Sequence, residues 1–396
     1  MTEHGEQTTV TSRIRDWADA HRDDLPKHLL ELIAIETPSA EPATFPAFFD
    51  HLAREFEALG LETSRHQGTE TGGWIEASTA MDADEIQLIL GHADTVWPLG
   101  TVEERPPDAD DEIVQGPGAL DMKGGLTQLL FSLQALDELS LDPALPIHVL
   151  VSSDEEIGSP ESKPRIVELA KRANRVYVLE PGEGPTGKIK IARKAVGRFT
   201  VHIDGEAAHA GIEPEKGASA IEELGSLIHR LHALTDLDSG VTVNVGEVDA
   251  GLRSNVVAPS ATASVDVRAP TDADAERIEA AIREIEAETP GTELRVVGGF
   301  DRPPMEPTPG NQRLWKRVKT AGRRLGLTLE STHTGGASDG NDASQHAPTI
   351  DGFGAVGDGA HQTYEYVDID ALADRVALLT TCLIDEPLPE HHATKQ

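Results

Sequence analysis

"PIHVLVSSDEEIGS", residues 146–159, leads from a mostly apolar stretch straight into three consecutive carboxylates, Asp154, Glu155 and Glu156. An apolar run of this length, bounded by turn-forming residues, reads as a strand buried on both faces. Adjacent acids repel, so their crowding at the strand's exit asks for compensation. Either they lie in a solvated loop of an acidic protein, or they surround a bound cation with a proton acceptor beside it.

Working outward, the same junction recurs twice. "IQLIL" (86–90) runs into "GHADT" with His92 and Asp94, and "RVYVL" (175–179) runs into "EPG" with Glu180. Helical stretches separate the strands: "LTQLLFSLQALDEL" (126–139), with Leu126, Leu129, Leu130, Leu133 and Leu136 on one face, and "SKPRIVELAKRA" (162–173). Upstream, "IRDWADAHRDDLPKHLLELIAI" (14–35) and "FPAFFDHLAREFEALG" (45–60) carry helical periodicity. Strands alternating with helices predict an α/β fold with a mostly parallel sheet flanked by helices. In such sheets ligands bind beyond the carboxyl ends of the strands, so three strands deliver His and carboxylates to one edge. Asp121 in "GPGALDMKGG" and His361 in "GDGAHQTYEYV" are expected to join them.

The pattern changes near residue 194. "GRFTVHI" (197–203), helical 218–234, "VTVNVGEV" (241–248), "TASVDVR" (262–268), helical 274–288 and "ELRVV" (293–297) follow the β-α-β-β-α-β order of a ferredoxin-like α+β unit. The Pro-rich "DRPPMEPTPG" (301–310) marks the exit. This predicts a domain of residues 194–303 inserted between segments 1–193 and 304–396, with a polar 388–396 tail that frays.

Composition narrows the partners. The 396 residues hold 34 Lys plus Arg against 69 Asp plus Glu, a formal charge of −35, so nucleic acid and anionic membranes are poor partners. Arg outnumbers Lys, aromatics are 4%, and the acids are spread over nearly every segment, which reads as a halophile-like surface. Acid runs such as "DADDE" (108–112) therefore arise without any site. Cys382, the only cysteine, lies in apolar "RVALLTTCLI" and is expected in the core. The start of the chain lacks a signal-peptide pattern, and no apolar run approaches the roughly 20 residues that cross a bilayer. The expectation is a soluble, cytoplasmic protein.

Two His and three carboxylates suit two zinc ions if one carboxylate bridges them and each ion takes one imidazole and one further carboxylate. Paired metals about 3.5 to 4 Å apart polarise a carbonyl and yield hydroxide near neutral pH. Glu155 is then the spare acid, placed to accept a proton from water and pass it to a leaving nitrogen. Asp94, two residues after His92, suits the acceptor for the imidazole's other nitrogen.

"GHADTV", "GPGALDMKGG", "SSDEEIGS", "LEPG", "AAHAG", "SNVVA", "GGASDGN" and "GDGAHQTYEYVDI" together resemble the successive signature segments of the di-zinc metallopeptidase family that includes glutamate carboxypeptidase, acetylornithine deacetylase, succinyl-diaminopimelate desuccinylase and aminoacylase. They occur in family order from about residue 88 to 370. The resemblance implies that His92 and Glu180 bind one zinc, Glu156 and His361 the other, and Asp121 bridges, with cobalt or manganese as substitutes. It implies Glu155 as general base and a cis peptide between Asp121 and Met122. It makes the inserted unit a lid and dimerisation domain, whose His209 reaches into the partner's site in a homodimer. Asn255, Arg268 and Arg302 resemble positions that receive the substrate's carboxylate, Gly336 joins the substrate-binding set, and the substrate is a small peptide or N-acyl amino acid. Glu at position 180 places the chain nearer the glutamate carboxypeptidase branch than the desuccinylases.

Two other motifs compete. "GASDG" (336–340) satisfies Gly-x-Ser-x-Gly, and Ser338, Asp358 and His361 follow in the order of an α/β-hydrolase triad, although neither a strand nor an apolar helix flanks the serine. "GFGAVG" (352–357) satisfies Gly-x-Gly-x-x-Gly, but no helix follows it, so its glycines are read as letting the backbone approach His361.

Overall fold

A computed structural model describes residues 3–389, and the polar tail lies outside the described residues from 390 onward. The chain divides into two compact units: Met1–Ala192 with Pro307–His333 and Ser338–Gln396, and Arg193–Glu306 with Thr334–Ala337. The first is α/β with a mainly parallel sheet; the second is built on a separate antiparallel sheet. No helix among the described residues is long and apolar enough to cross a membrane.

In the first unit six strands lie in the order Glu62–His66, Trp74–Ser78, Ile147–Ser152, Ile86–His92, Ala173–Val178, Thr349–Ile350. The last four are mutually parallel, and the first two add antiparallel to one edge. Every residue of Ile86–His92 and Ile147–Ser152 is buried, as expected for central strands covered on both faces. The first two strands had no counterpart in the sequence reading. "ETSRH" at the edge is polar throughout and mostly exposed, so it lacks the alternation that marks a strand.

The helices also refine the periodicity. The helical stretch 14–35 is two helices, Glu3–Ala20 and Leu25–Ala34, with Pro26 in the first turn of the second, where its missing N–H costs nothing. Gly124–Glu138 buries more than its leucine stripe: Thr127, Gln128, Phe131, Ser132 and Ala135 are buried too. Its polar groups bond inward, Gln128 Nε2 to the Phe353 carbonyl at 3.0 Å and Ser132 Oγ to the Val376 carbonyl at 3.2 Å. Val376 belongs to the terminal helix Ile369–Leu383, in which Cys382 is buried.

The second unit orders its strands Thr242–Ala250, Ser260–Ala269, Ala195–Asp204, Glu293–Arg302, all antiparallel. Buried and half-buried residues alternate along Ser260–Ala269, so one face forms a core with helices Ala220–His232 and Asp272–Arg283. Ser219 and Thr271 cap the two helices. The second stops at Arg283 rather than 288, because the N–H groups of Glu288 and Thr289 turn away to bond the buried Glu223 carboxylate at 2.9 and 2.7 Å. Residues 334–337 join this unit through Lys194 N–H to the Thr334 carbonyl (3.1 Å) and Arg193 Nη1 to the Gly336 carbonyl (3.1 Å).

Candidate metal centre

Three adjacent parallel strands end at one edge of the first unit's sheet. Ile86–His92 ends on His92, Ile147–Ser152 runs into Asp154–Glu156, and Ala173–Val178 runs into Glu180. The His92 side chain is 2% exposed and lies between two partners types: its Nδ1–H donates to the Asp94 carbonyl at 3.0 Å, with Asp94 Oδ1 at 3.4 Å. That bond fixes the tautomer, so a neutral His92 presents a lone pair at Nε2. Nε2 faces Asp121 Oδ1 and Glu180 Oε1, each at 3.2 Å. On the other side of Asp121, His361 Nε2 lies 3.3 Å from Oδ2 and 3.1 Å from Glu156 Oε1. Two groups of three donors, His92–Asp121–Glu180 and Asp121–Glu156–His361, thus share one carboxylate, the ligand atoms of each lying within 4.8 Å of one another. Converging acceptors need a proton or a cation between them, and imidazole with carboxylate is a donor set that suits zinc-class divalent ions.

The turn after the second strand answers the question its three acids raised. Asp154 is fully buried and accepts the N–H groups of Glu161 and Ser162 (2.9 and 3.1 Å) and the Ser162 hydroxyl (2.5 Å), so it holds the start of helix Lys163–Ala170. Glu155 and Glu156 begin a short 3₁₀ turn, and both amides donate to the Asp94 carboxylate, at 3.2 and 3.1 Å. Ser39 Oγ also donates to Asp94 at 2.9 Å. One buried aspartate therefore ties the His92 loop to the Glu155–Glu156 turn.

Asp121 sits in an irregular turn, Ala119–Lys123, with a cis peptide to Met122. Glu365 positions that turn, and the sequence reading did not single it out. Its carboxylate is 2% exposed as a residue and accepts the N–H groups of Gly118, Leu120 and Asp121 at 2.9, 2.8 and 3.0 Å, with Trp97 Nε1 at 3.1 Å. The buried Lys123 donates to the Ile35 carbonyl at 2.7 Å. The signal for Glu365 was its place in "HQTYEYV", four residues after His361, but in a chain with 69 acids one more glutamate carries little information.

Electrostatics follow from this crowding. Burial opposes a charge on His92, yet Asp121, Asp94 and Glu180 outweigh it and raise its pKa well above the ordinary value. Hydrogen bonding to Asp121, then Glu156, pushes His361 up to about 11. Burial works to raise Asp121, but the two imidazoles hold it well below the carboxylate range. For Glu156 burial prevails and the pKa rises. Burial also raises Glu365 to about 7 and lowers Lys123 to about 7.

The family model for Peptidase family M20/M25/M40 matches residues 88–385, which span both donor groups. The chain belongs to this family. As an M20 family member it is a hydrolase of the metallopeptidase and amidohydrolase class. Carboxypeptidase G2 of Pseudomonas sp. (strain RS-16) is 30% identical over 372 residues, covering 91% of this chain and 88% of its own. Succinyl-diaminopimelate desuccinylase of Rhodospirillum centenum is 28% identical over 377 residues, covering 88% and 94%. Among solved structures, aminopeptidase PepT of Bacillus cereus superposes with a TM-score of 0.75 at 23% identity, covering 91% of this chain and 98% of that one, a likeness of fold.

His209, Asn255, Arg268, Arg302 and Gly336 belong to the second unit. His209 and Asn255 are exposed on adjoining loops, linked by Ala210 N–H to the Asn255 carbonyl at 3.0 Å. Arg268 forks onto Asp266 of its own strand, with both bonds at 2.9 Å. Arg302 is buried at the end of its strand, and Gly336 is exposed. Ser338 is fully buried, donates its hydroxyl to Asp351 and accepts the Gly340 N–H at 3.0 Å, capping the short helix Asp339–Ala343. These are the bonds of a helix cap rather than of a nucleophile. In "GFGAVG" a Cβ on Gly354 would overlap the Leu179 carbonyl, and one on Gly357 the Tyr366 carbonyl. They let neighbouring backbone segments close up.

Proposed function

We propose that this enzyme is a di-zinc hydrolase that cleaves an amide bond next to a free carboxylate, releasing a C-terminal residue in the manner of the glutamate carboxypeptidase branch. The observation that carries the reading is Asp121, whose two carboxyl oxygens face two different imidazoles, each with a further carboxylate beside it. His92, Asp121 and Glu180 would hold one ion, and Asp121, Glu156 and His361 would hold the other. When bound, the two divalent ions supply Lewis acidity towards a carbonyl oxygen and lower the pKa of a water.

The chain's own groups do the rest. Glu155 takes a proton at its carboxylate and returns it to the departing nitrogen. Asp94 positions Glu155 and Glu156 through their amides and fixes the His92 tautomer. Glu365 holds the amides around Asp121, which keeps that carboxylate aimed between the imidazoles. The second unit acts as lid and dimer interface, with His209 completing the partner's site in a homodimer. Asn255, Arg302 and Gly336 receive the substrate's carboxylate, and Arg268 does so by exchanging Asp266 for it.

The 30% identity to carboxypeptidase G2 across most of both chains supports the carboxypeptidase reading. The desuccinylase relative, with similar coverage, favours a second one: an N-acyl amino acid deacylase using the same residues. Metal analysis of the purified protein with a panel of N-acyl amino acids and dipeptides tests both. Two zinc per Asp121-containing site and faster release of C-terminal glutamate than of acetyl or succinyl groups is the expected result. Full hydrolysis after chelation overturns the mechanism, and a reversed substrate order moves the enzyme to the deacylase branch.

A further inference from the structure

A second cluster of metal-binding side chains lies in the first unit, sharing no residue with the centre above. His28 is on helix Leu25–Ala34; His51 and Glu55 are on helix Phe45–Ala58, four residues apart and therefore on one face. His28 Nε2 lies 2.9 Å from Glu55 Oε1, and His51 Nε2 lies 3.4 Å from Glu55 Oε2. One donor atom from each of the three falls within 4.8 Å of the others. The side chains are largely covered, at 13% exposure for His28, 22% for His51 and 27% for Glu55.

Hydrogen bonding within the protein leaves this cluster incomplete. His28 is satisfied at both nitrogens, since Nδ1 lies 3.0 Å from the hydroxyl of the fully buried Thr127. His51 Nε2 and Glu55 Oε2 face each other, yet both are buried atoms without a hydrogen-bond partner among the described residues. Buried polar atoms are normally hydrogen-bonded, and a couple that faces at ion-pair distance without a hydrogen bond needs an explanation. Their separation is the one that two ligands adopt on a tetrahedral cation with bonds of about 2.0 to 2.1 Å, that is, roughly 3.3 Å apart. Thr127 would then accept the proton of His28 Nδ1 and orient that ring, as partners of metal-bound imidazoles do.

We propose that His28, His51 and Glu55 form a third divalent-cation site, taking zinc or a similar late first-row ion and clamping the two helices together. Two imidazole nitrogens with a single carboxylate disfavour calcium and magnesium, which prefer all-oxygen shells. Three protein ligands leave a fourth position for water. Thr127 lies on helix Gly124–Glu138, so the clamp bears on three helices of the core.

The test counts metal on the full-length chain, stripped with a chelator, titrated with Zn²⁺ and desalted. Wild type should retain three zinc per chain and His51→Ala two, with kcat/KM within about twofold of wild type. Asp121→Asn should retain one, and the double variant none. Glu55→Gln serves if His51→Ala fails to fold, and an anomalous zinc signal at the cluster in crystals of the wild-type protein is the independent readout. A wild-type count of two, or the same count in wild type and in His51→Ala, overturns the third site. An unchanged count in Asp121→Asn would instead overturn the catalytic assignment, so the two failures are distinguishable.

Discussion

Glu76, on the Trp74–Ser78 strand, and Asp121, on the turn before Gly124–Glu138, are both covered carboxylates beside imidazoles, but their charges are balanced by different means. Glu76 accepts both arms of Arg165 at 2.8 Å, Trp74 Nε1 at 3.0 Å and His148 Nε2 at 2.9 Å. Burial works to raise its pKa, and these bonds outweigh burial and hold it far below the carboxylate range. Asp121 has His92 and His361 instead, whose charge depends on protonation. A guanidinium is a permanent counter-charge, whereas an imidazole can give up its proton and become a ligand. The first cluster is closed by the fold, whereas the second offers imidazoles able to exchange a proton for a cation.

Mutation should separate the two most sharply through turnover. Glu155→Gln should keep both ions and lower kcat by about 10²- to 10⁴-fold, the range of a lost general base. Asp121→Asn should lose the ions themselves, read by elemental analysis, because one side chain serves both donor groups. Activity near wild type in Asp121→Asn would place Asp121 with Glu76, as structure only, and in Glu155→Gln it would remove Glu155 from its role.

Glu76→Gln should leave metal content intact but destabilise the fold by about 1 to 3 kcal/mol, the cost of replacing a charge-assisted hydrogen bond at a buried carboxylate, since Arg165 keeps its second partner Glu168 at 2.8 Å. Because its folded pKa is depressed, the stabilisation is fully present above the unfolded value of about 4.3 and is lost as pH falls below it towards the folded value. Denaturant titrations of wild type and variant should therefore converge with acidification, and a gap that stays constant to low pH would contradict the assignment.

Smaller effects sharpen the contrast. Glu365→Gln should weaken metal binding by about tenfold, as loss of an outer positioning group does, without abolishing it. In the metal-free enzyme His361, pushed up to about 11, and His92, also raised, carry protons at neutral pH. Metal uptake should thus release about two protons, and affinity should rise with pH. Calorimetry in buffers of different ionisation enthalpy reads this directly, and uptake without proton release would refute it. The mildest effect concerns salt: with a formal charge of −35, screening should relieve repulsion between the fold's own acids and towards anionic substrates. Highest activity in dilute buffer would contradict the halophile-like reading.

Much of the candidate site was legible because its residues follow apolar runs or lie in glycine-containing turns. His92, Glu156 and Glu180 lie at or just beyond the ends of buried strands, and that position carried the inference. Glu76, His148 and Arg165 were not legible as a cluster, because each looks like an ordinary polar residue of its own strand or helix. The edge strand Glu62–His66 was missed because no apolar alternation marks it. The wide buried face of Gly124–Glu138 was hidden by Thr127, Gln128 and Ser132, whose polar groups meet His28 and the Phe353 and Val376 carbonyls, partners that only the folded chain supplies.

By itself the sequence determined the alternation of strands and helices, the change to a β-α-β-β-α-β unit, and the set of nitrogen and oxygen donors available at the strand ends. Tertiary structure alone decided what the neighbouring aspartates do, with Asp154 holding a helix start and Asp94 binding the amides of Glu155 and Glu156. The reason is physical. Periodicity reports which face of an element is buried, but the aim of a side chain in a turn is set by backbone angles and by contacts with distant residues, such as Glu365 with Gly118, 247 positions apart.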